Sequence, residues 1–272
     1  MKRCLLILIL LLPGLASAQF LNLADQLAAF SASSVGGGGG GGNGLLQSLA
    51  AYYPMDDAGG GLVDVTGNGW DAADGVGESY AQSGILGTAV DFMGNTVGCN
   101  TPMQYDGGAF TMNVWMQVYA PSYDPAFLYG IGSDGTGFYY RDYALVCSVG
   151  ESYHMLHGYP DGFFATLTDT SWHMVTVVLQ ANGEMVLYID GTLQTEENGN
   201  YVVYGDPGGI VAPQPQTDGG MSIGNRYSGP ADGSALGGYM DELGMWNRPL
   251  SQADVTALYN AGSGLAVGAF TL

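Results

Sequence analysis

The nine residues Phe110–Val118 set the terms for this chain: Phe110, Met112, Val114, Met116 and Val118 are apolar, while Thr111, Asn113 and Gln117 between them are polar. Successive side chains of a strand point to opposite faces, so a period of two makes this run a β-strand with one face on a core, expected to be half-buried. Other segments repeat the theme. Residues 172–179 are apolar on both faces, and after Ala181-Asn182-Gly183-Glu184 the chain returns over 185–190, a hairpin turned by Asn-Gly. A further strand is expected over 239–246, and short runs punctuated by Gly, Asn and Asp fill most of the chain from Leu45 onward. One helix is expected near the C-terminus. Ser251 is its N-cap, Asp254 stands three residues on, Val255, Leu258 and Tyr259 share a face, and Gly262 stops it. The class is all-β.

Upstream, Lys2 and Arg3, the apolar run 5–12 and Ala16-Ser17-Ala18 before Gln19 have the layout of a cleavable secretory signal over residues 1–18. That run is too short to cross a bilayer, and no later stretch reaches the roughly 20 apolar residues a spanning helix needs. The expected location is therefore secreted, extracellular or periplasmic, without membrane insertion. Residues 19–35 carry Phe20, Leu23, Leu27 and Phe30 at helical spacing. This segment is expected to dock on the main domain, to stay disordered, or to dock on a neighbouring molecule. Residues 36–44 form a glycine-rich linker, 45–265 the main domain and 266–272 a tail.

The formal net charge is −20, and removal of the leader takes Lys2 and Arg3, leaving Arg141, Arg226 and Arg248 against 25 acidic residues. Such a surface repels phosphate backbones and anionic headgroups, which argues against nucleic acid and leaves divalent cations and neutral ligands. Two cysteines remain after cleavage, Cys99 and Cys147. In an oxidising compartment an even pair is expected as a disulfide, the alternative being two buried thiols.

Three stretches carry a family likeness: YYPMDDAGGGLVDVTGNGWDA at 52–72, WHMVTVVLQANGEMVLYIDGTL at 172–193, and SIGNRY at 222–227 leading into YMDELGMWNRPLSQADVTALYNAG at 239–262. In this order they resemble the laminin-G-like modules of the concanavalin-A-like lectin/glucanase superfamily. The resemblance implies a two-sheet antiparallel jelly-roll sandwich with one short C-terminal helix at its edge. It also implies a structural Ca²⁺ where the N-terminal stretch meets the last strand. Asp64, Asn68 and Asp241 would then supply hard oxygens, with Gly67 and Gly69 letting turn carbonyls converge. The alternative is that Asp64 and Asn68 only shape a turn while Asp241 pairs with Arg248.

The hydrolases of this superfamily set acids at alternate positions of one strand, as in E-x-D-x-x-E, and no such array occurs here. Asp241-Glu242, Asp56-Asp57 and Glu196-Glu197 are adjacent pairs, whose members point to opposite faces of a strand. Gly220-Met221-Ser222-Ile223-Gly224 fits a nucleophile elbow but is followed by a loop, and Gly130, Gly132 and Gly135 run into a strand rather than a helix. His154 and His157 lack the acidic companion of a metalloprotease motif. No enzyme is expected. For ligand recognition, Tyr139, Tyr140, Arg141 and Asp142, together with Asn225, Arg226 and Tyr227, combine aromatic platforms with polar groups. Trp115, opposite the apolar face of its strand, would line the concave surface unless a bulge buries it. The expected function is a secreted, non-catalytic carbohydrate-binding or adhesion module, calcium-stabilised, whose partner is a glycan or a cell-surface or extracellular protein. The alternatives are a structural or assembly protein of an extracellular matrix or surface layer, and a glycan-active hydrolase or lyase with an unrecognised site.

Overall fold

A computed structural model of the chain describes residues 44–271, apart from 94–97, 105, 120–125, 132–135, 142–143, 150–151, 157–166, 168, 182–184, 195–202, 205–219 and 225–235. The leader, the 19–35 segment and nearly all of the glycine linker lie outside the described residues. Among the described residues two sheets are built, with every pairing antiparallel. The larger holds β1 (Leu49–Tyr53), β2 (Ser79–Ser83), β3 (Thr88–Asp91), β5 (Phe110–Val118), β10 (His173–Leu179), β11 (Met185–Ile189), β12 (Thr192–Leu193) and β15 (Gly238–Trp246). Its order is β12-β11-β10-β5-β15-β3-β2, with β1 added on β15. The second runs in the order β13-β9-β8-β7-β6-β14-β4, formed by β4 (Cys99–Thr101), β6 (Ala126–Ile131), β7 (Thr136–Arg141), β8 (Ala144–Val149), β9 (Ser152–Leu156), β13 (Val203–Tyr204) and β14 (Met221–Ile223).

The alternation of β5 decides how the layers stack. Met112, Val114, Met116 and Val118 join Val175, Val177, Met240, Met245 and Phe92, and this core takes in Met221, Ile223 and Cys99 from the second sheet. Each fully buried side chain of this kind contributes about 1.5–3 kcal/mol. The other face of β5 departs from the half-buried expectation. Trp115, Met174, Val178, Tyr188, Tyr52 and Trp246 form a second apolar cluster there, covered by Leu250, Val255, Leu258 and Phe270. The cover is α1 (Gln252–Tyr259) and the segment behind it, so β5 is buried on both sides along most of its length. Its polar residues find partners in the dark: Thr176 Oγ1 donates to Asn113 Oδ1 at 2.6 Å, and Thr111 Oγ1 donates to the Arg248 carbonyl at 2.8 Å.

Helix α1 starts as expected, with a capping box between Ser251 and Asp254. It stops two residues before the expected glycine, at Asn260, whose left-handed φ of 48° closes the last turn. The end of the chain is no loose tail: Phe270 meets Tyr52 edge-on at 5.3 Å, and Leu46 N donates to the Thr271 carbonyl at 3.1 Å. The packed domain therefore runs on past residue 265.

The expected disulfide does not form. Cys99 is a free thiol on β4, and Cys147 is carried by β8, four strands away in the same sheet. At the usual strand spacing that is about 19 Å, whereas a bridge needs α-carbons within about 7 Å. The Cys99 sulfur lies 3.6 Å from the Tyr80 hydroxyl instead, and burial pushes its thiol up to about 11.

Candidate functional site

The three residues expected to hold calcium do not converge. Asp64 is buried and its carboxylate is filled by donors: Tyr52 N and Thr66 N at 3.1 Å, Thr66 Oγ1 at 2.8 Å and Trp70 N at 3.3 Å. It ties the 64–70 turn to β1. Asn68 spends its side-chain amide on the Ala50 carbonyl at 2.9 Å. Asp241 sits apart, with Oδ2 accepting from Ile85 N at 2.8 Å and Leu86 N at 3.1 Å. Its expected alternative partner is engaged elsewhere, since Arg248 reaches Asp254 at 3.2 Å and the Gly44 carbonyl at 2.7 Å. Among the described residues no group of three or more His, Cys, Asp or Glu is arranged to hold a metal ion. The expected ligand set does not fit the ion.

Asp241 belongs instead to a buried acidic pair. The register of β15 slips between Asp241 and Gly244, and Glu242 takes a positive φ of 53°. This bulge breaks the alternation that would have sent the two side chains to opposite faces. Glu242 accepts a short hydrogen bond from the Tyr52 hydroxyl in the layer that also holds Trp115, the cross-strand partner of Asp241. Burial, then the charge of Glu242, pushes Asp241 up to about 8; burial, then Asp56, pushes Glu242 up to about 7. Asp241 Oδ1 is buried without a hydrogen-bond partner. The residues are 0 % and 4 % exposed, so this pair cannot meet a glycosidic bond across a cleft.

The remaining ligand candidates divide. Trp115 points to the outer face as expected, but it is 2 % exposed and stacked on Tyr259 at 5.7 Å, because α1 lies over it. It lines no open surface. Tyr139, Tyr140 and Arg141 lie in β7 of the second sheet, and their side chains are outside the described set. Asp142, Asn225, Arg226 and Tyr227 also lie outside the described residues. Ser222 is buried in the middle of β14, hydrogen-bonded between β4 and β6, and is no exposed nucleophile.

An open aromatic surface does exist where the cover of α1 ends. In the eight-stranded sheet Asp91 of β3 pairs with Tyr239 of β15, and Tyr239 pairs with Gln117 of β5. The register of β10 on β5 brings Trp172, just before β10, to the far side of Gln117. The ring of Tyr239 lies 5.4 Å from that of Tyr119 and 6.3 Å from that of Trp172. Tyr119 is 42 % exposed and its hydroxyl donates to Asp91 Oδ1 at 2.7 Å; the Gln117 side-chain amide donates to the Thr170 carbonyl. Asp91, Gln117, Trp172 and Tyr239 are each half-buried. Three contiguous rings, Tyr239 tilted 60° to Tyr119 and 49° to Trp172, with a carboxylate and an amide at their edge make a stepped apolar platform with polar handles. The strand patterns did not reveal it, because Tyr119, Trp172 and Tyr239 come from three different strands or their ends and only the register of the sheet brings them together. The signal was the parity of Gln117 and Tyr119, which carries the outer face of β5 beyond its end.

The family model for the concanavalin A-like lectin/glucanases superfamily matches residues 94–256. No curated protein matches the chain. Among solved structures, the chain is similar to the binding domain of Paraclostridial Mosquitocidal Protein 1, with 13 % identity, TM-score 0.56, and coverage of 79 % of this chain and 52 % of that one. It is similar to Trypanosoma rangeli sialidase at 15 % identity and TM-score 0.55, covering 92 % of this chain and 40 % of that one. It is also similar to domain 4 of AbnA, a GH43 extracellular arabinanase from Geobacillus stearothermophilus in complex with arabinotriose. There the identity is 15 %, the TM-score 0.51, and the coverage 77 % of this chain and 97 % of that domain. The chain thus spans about half of the mosquitocidal binding domain and less than half of the sialidase. At these identities the likeness is one of fold.

Proposed function

Since the chain belongs to the concanavalin A-like lectin/glucanases superfamily, we propose that it is a secreted, non-catalytic module that binds a neutral glycan on the platform of Tyr119, Tyr239 and Trp172. The observation that carries this reading is the contiguity of the three rings, with Tyr119 exposed, beyond the part of the outer face that α1 covers. The apolar C–H faces of a pyranose or furanose stack on rings, and Asp91 and Gln117 at the rim supply an acceptor and a donor for hydroxyls. The strong acidic balance of the chain disfavours a charged sugar acid. Among structures of this fold, the arabinanase domain holds arabinotriose, a neutral oligosaccharide, which supports the class of ligand. Export through the leader would place the module among such polymers.

A glycan array with the exported protein tests the reading. Retention of neutral glycans is expected, weakened at least about tenfold by Trp172→Ala and by Tyr239→Ala, a loss of about 1.4 kcal/mol or more, with circular dichroism unchanged. Equal retention by the wild type and both variants would overturn it. N-terminal sequencing of the exported protein should begin at Gln19.

A further inference from the structure

Trp172 reaches the platform on a short turn, and the residue that follows it holds that turn. The ring of His173 lies between two carboxylates: Nδ1 is 2.8 Å from Asp190 Oδ2, and Nε2 is 3.1 Å from Asp169 Oδ1. An ionised carboxylate only accepts, so both contacts are hydrogen bonds only when both ring nitrogens carry protons. We infer that His173 is a positioning residue of the platform, whose imidazolium fastens the turn 169–172 to the end of β11 and so seats Trp172 beside Tyr239. This deepens the glycan-binding reading and rests on it for its functional meaning.

The two carboxylates are not equally anchored. Asp190 also accepts from Met174 N through Oδ1 at 2.9 Å, which keeps it in place whatever the ring does. Asp169 is exposed and, among the described residues, has only its own turn besides, accepting from Ser171 N at 2.7 Å. Thr170 in that turn holds a positive φ of 67°, a conformation that persists only where neighbours enforce it. A neutral imidazole has one N–H. It would keep Asp190 and turn a lone pair on Asp169, releasing the turn that also accepts from Gln117 through the Thr170 carbonyl. Among the described residues, Asp190 and Asp169 are the charged groups acting on the ring; β5 opposes it with Met116, and Tyr259 of α1 feels Asp190. The hydrogen bond to Asp190 raises the His173 titration from its usual value, against the opposing effect of burial and with further help from Asp169. The hydrogen bond from His173 lowers Asp169 in turn.

The test uses mature protein labelled with fluorotryptophan, whose Trp172 ¹⁹F line is assigned through Trp172→Phe, titrated from about pH 5 to about pH 9 across the histidine range. The Trp172 line should shift with the same midpoint as the His173 ring followed by proton NMR. In Asp169→Ala, which removes the acceptor that an asparagine would keep, the line should sit near its high-pH position throughout. In His173→Gln the shift should vanish. A Trp172 line that stays flat while His173 titrates, or a shift that survives in His173→Gln, would overturn the inference. Array retention measured at the two ends of the titration separates the claims. A moving Trp172 line without glycan retention leaves the clamp standing and removes the glycan reading; retention lost in Trp172→Ala with a flat line does the reverse.

Discussion

The indole of Trp115 lies stacked on the ring of Tyr259, centroids 5.7 Å apart and planes 16° from parallel. One belongs to the middle of β5, the other to the last turn of α1, and their contact divides the outer face of the large sheet into a covered part and an open part. Trp115→Ala should therefore act as a core deletion, destabilising by about 3–5 kcal/mol, or on the order of 10 °C in Tm for a domain of this size. Trp172→Ala, half-buried at the open end, should cost far less stability. Thermal melts of the two variants side by side check the division, and equal losses would refute it.

Asp64 is a structural hub. Its carboxylate gathers donors from β1 and from both sides of its own turn. Asp64→Ala leaves those backbone N–H groups without an acceptor, and a loss of about 2–4 kcal/mol is expected from hydrogen bonds to a charged group. Asp64→Asn should recover only part of it, because one oxygen becomes a donor facing other donors. Chemical denaturation with an unchanged m-value would measure both.

The acidic pair makes stability pH-dependent in a definite direction. Asp241, pushed up to about 8, and Glu242, pushed up to about 7, hold protons in the folded state that the unfolded chain would release above about pH 4. Their stabilising contribution is full below the unfolded values and is lost as pH rises through 7 to 8. Melts in chelator should show Tm falling by several degrees from about pH 5 to about pH 8.5. Asp241→Asn, neutral at every pH, should flatten much of that slope and be more stable than wild type at the alkaline end. A slope unchanged in Asp241→Asn would place its origin elsewhere.

The thiols give a direct chemical check on strand order. Exported protein unfolded in guanidinium without reductant should label at both Cys99 and Cys147, and reductant should leave the Tm of the folded protein unchanged. A linked Cys99–Cys147 peptide in a non-reducing digest would contradict the separation of β4 and β8.

Period-two patterning was enough to find β5, an apolar run with its Asn-Gly turn to find β10 and β11, and the Ser251-Asp254 pair to place the start of α1; β15 was expected within a residue of its bounds. These are local properties: a strand's alternation and a cap's hydrogen bonds involve neighbours in sequence. What the sequence alone could not give was which faces stay open and which side chains meet. Trp115 was visible as an outer-face aromatic, yet its burial depends on a helix that follows more than a hundred residues later. The bulge that brings Glu242 into the layer of Asp241 has no signature stronger than an ordinary strand residue. Cys99 and Cys147 fail to pair because three strands stand between theirs, a fact of sheet order. The platform joins residues 91, 117, 119, 172 and 239 through cross-strand register, and register is fixed only once both faces of the large sheet have found their cover.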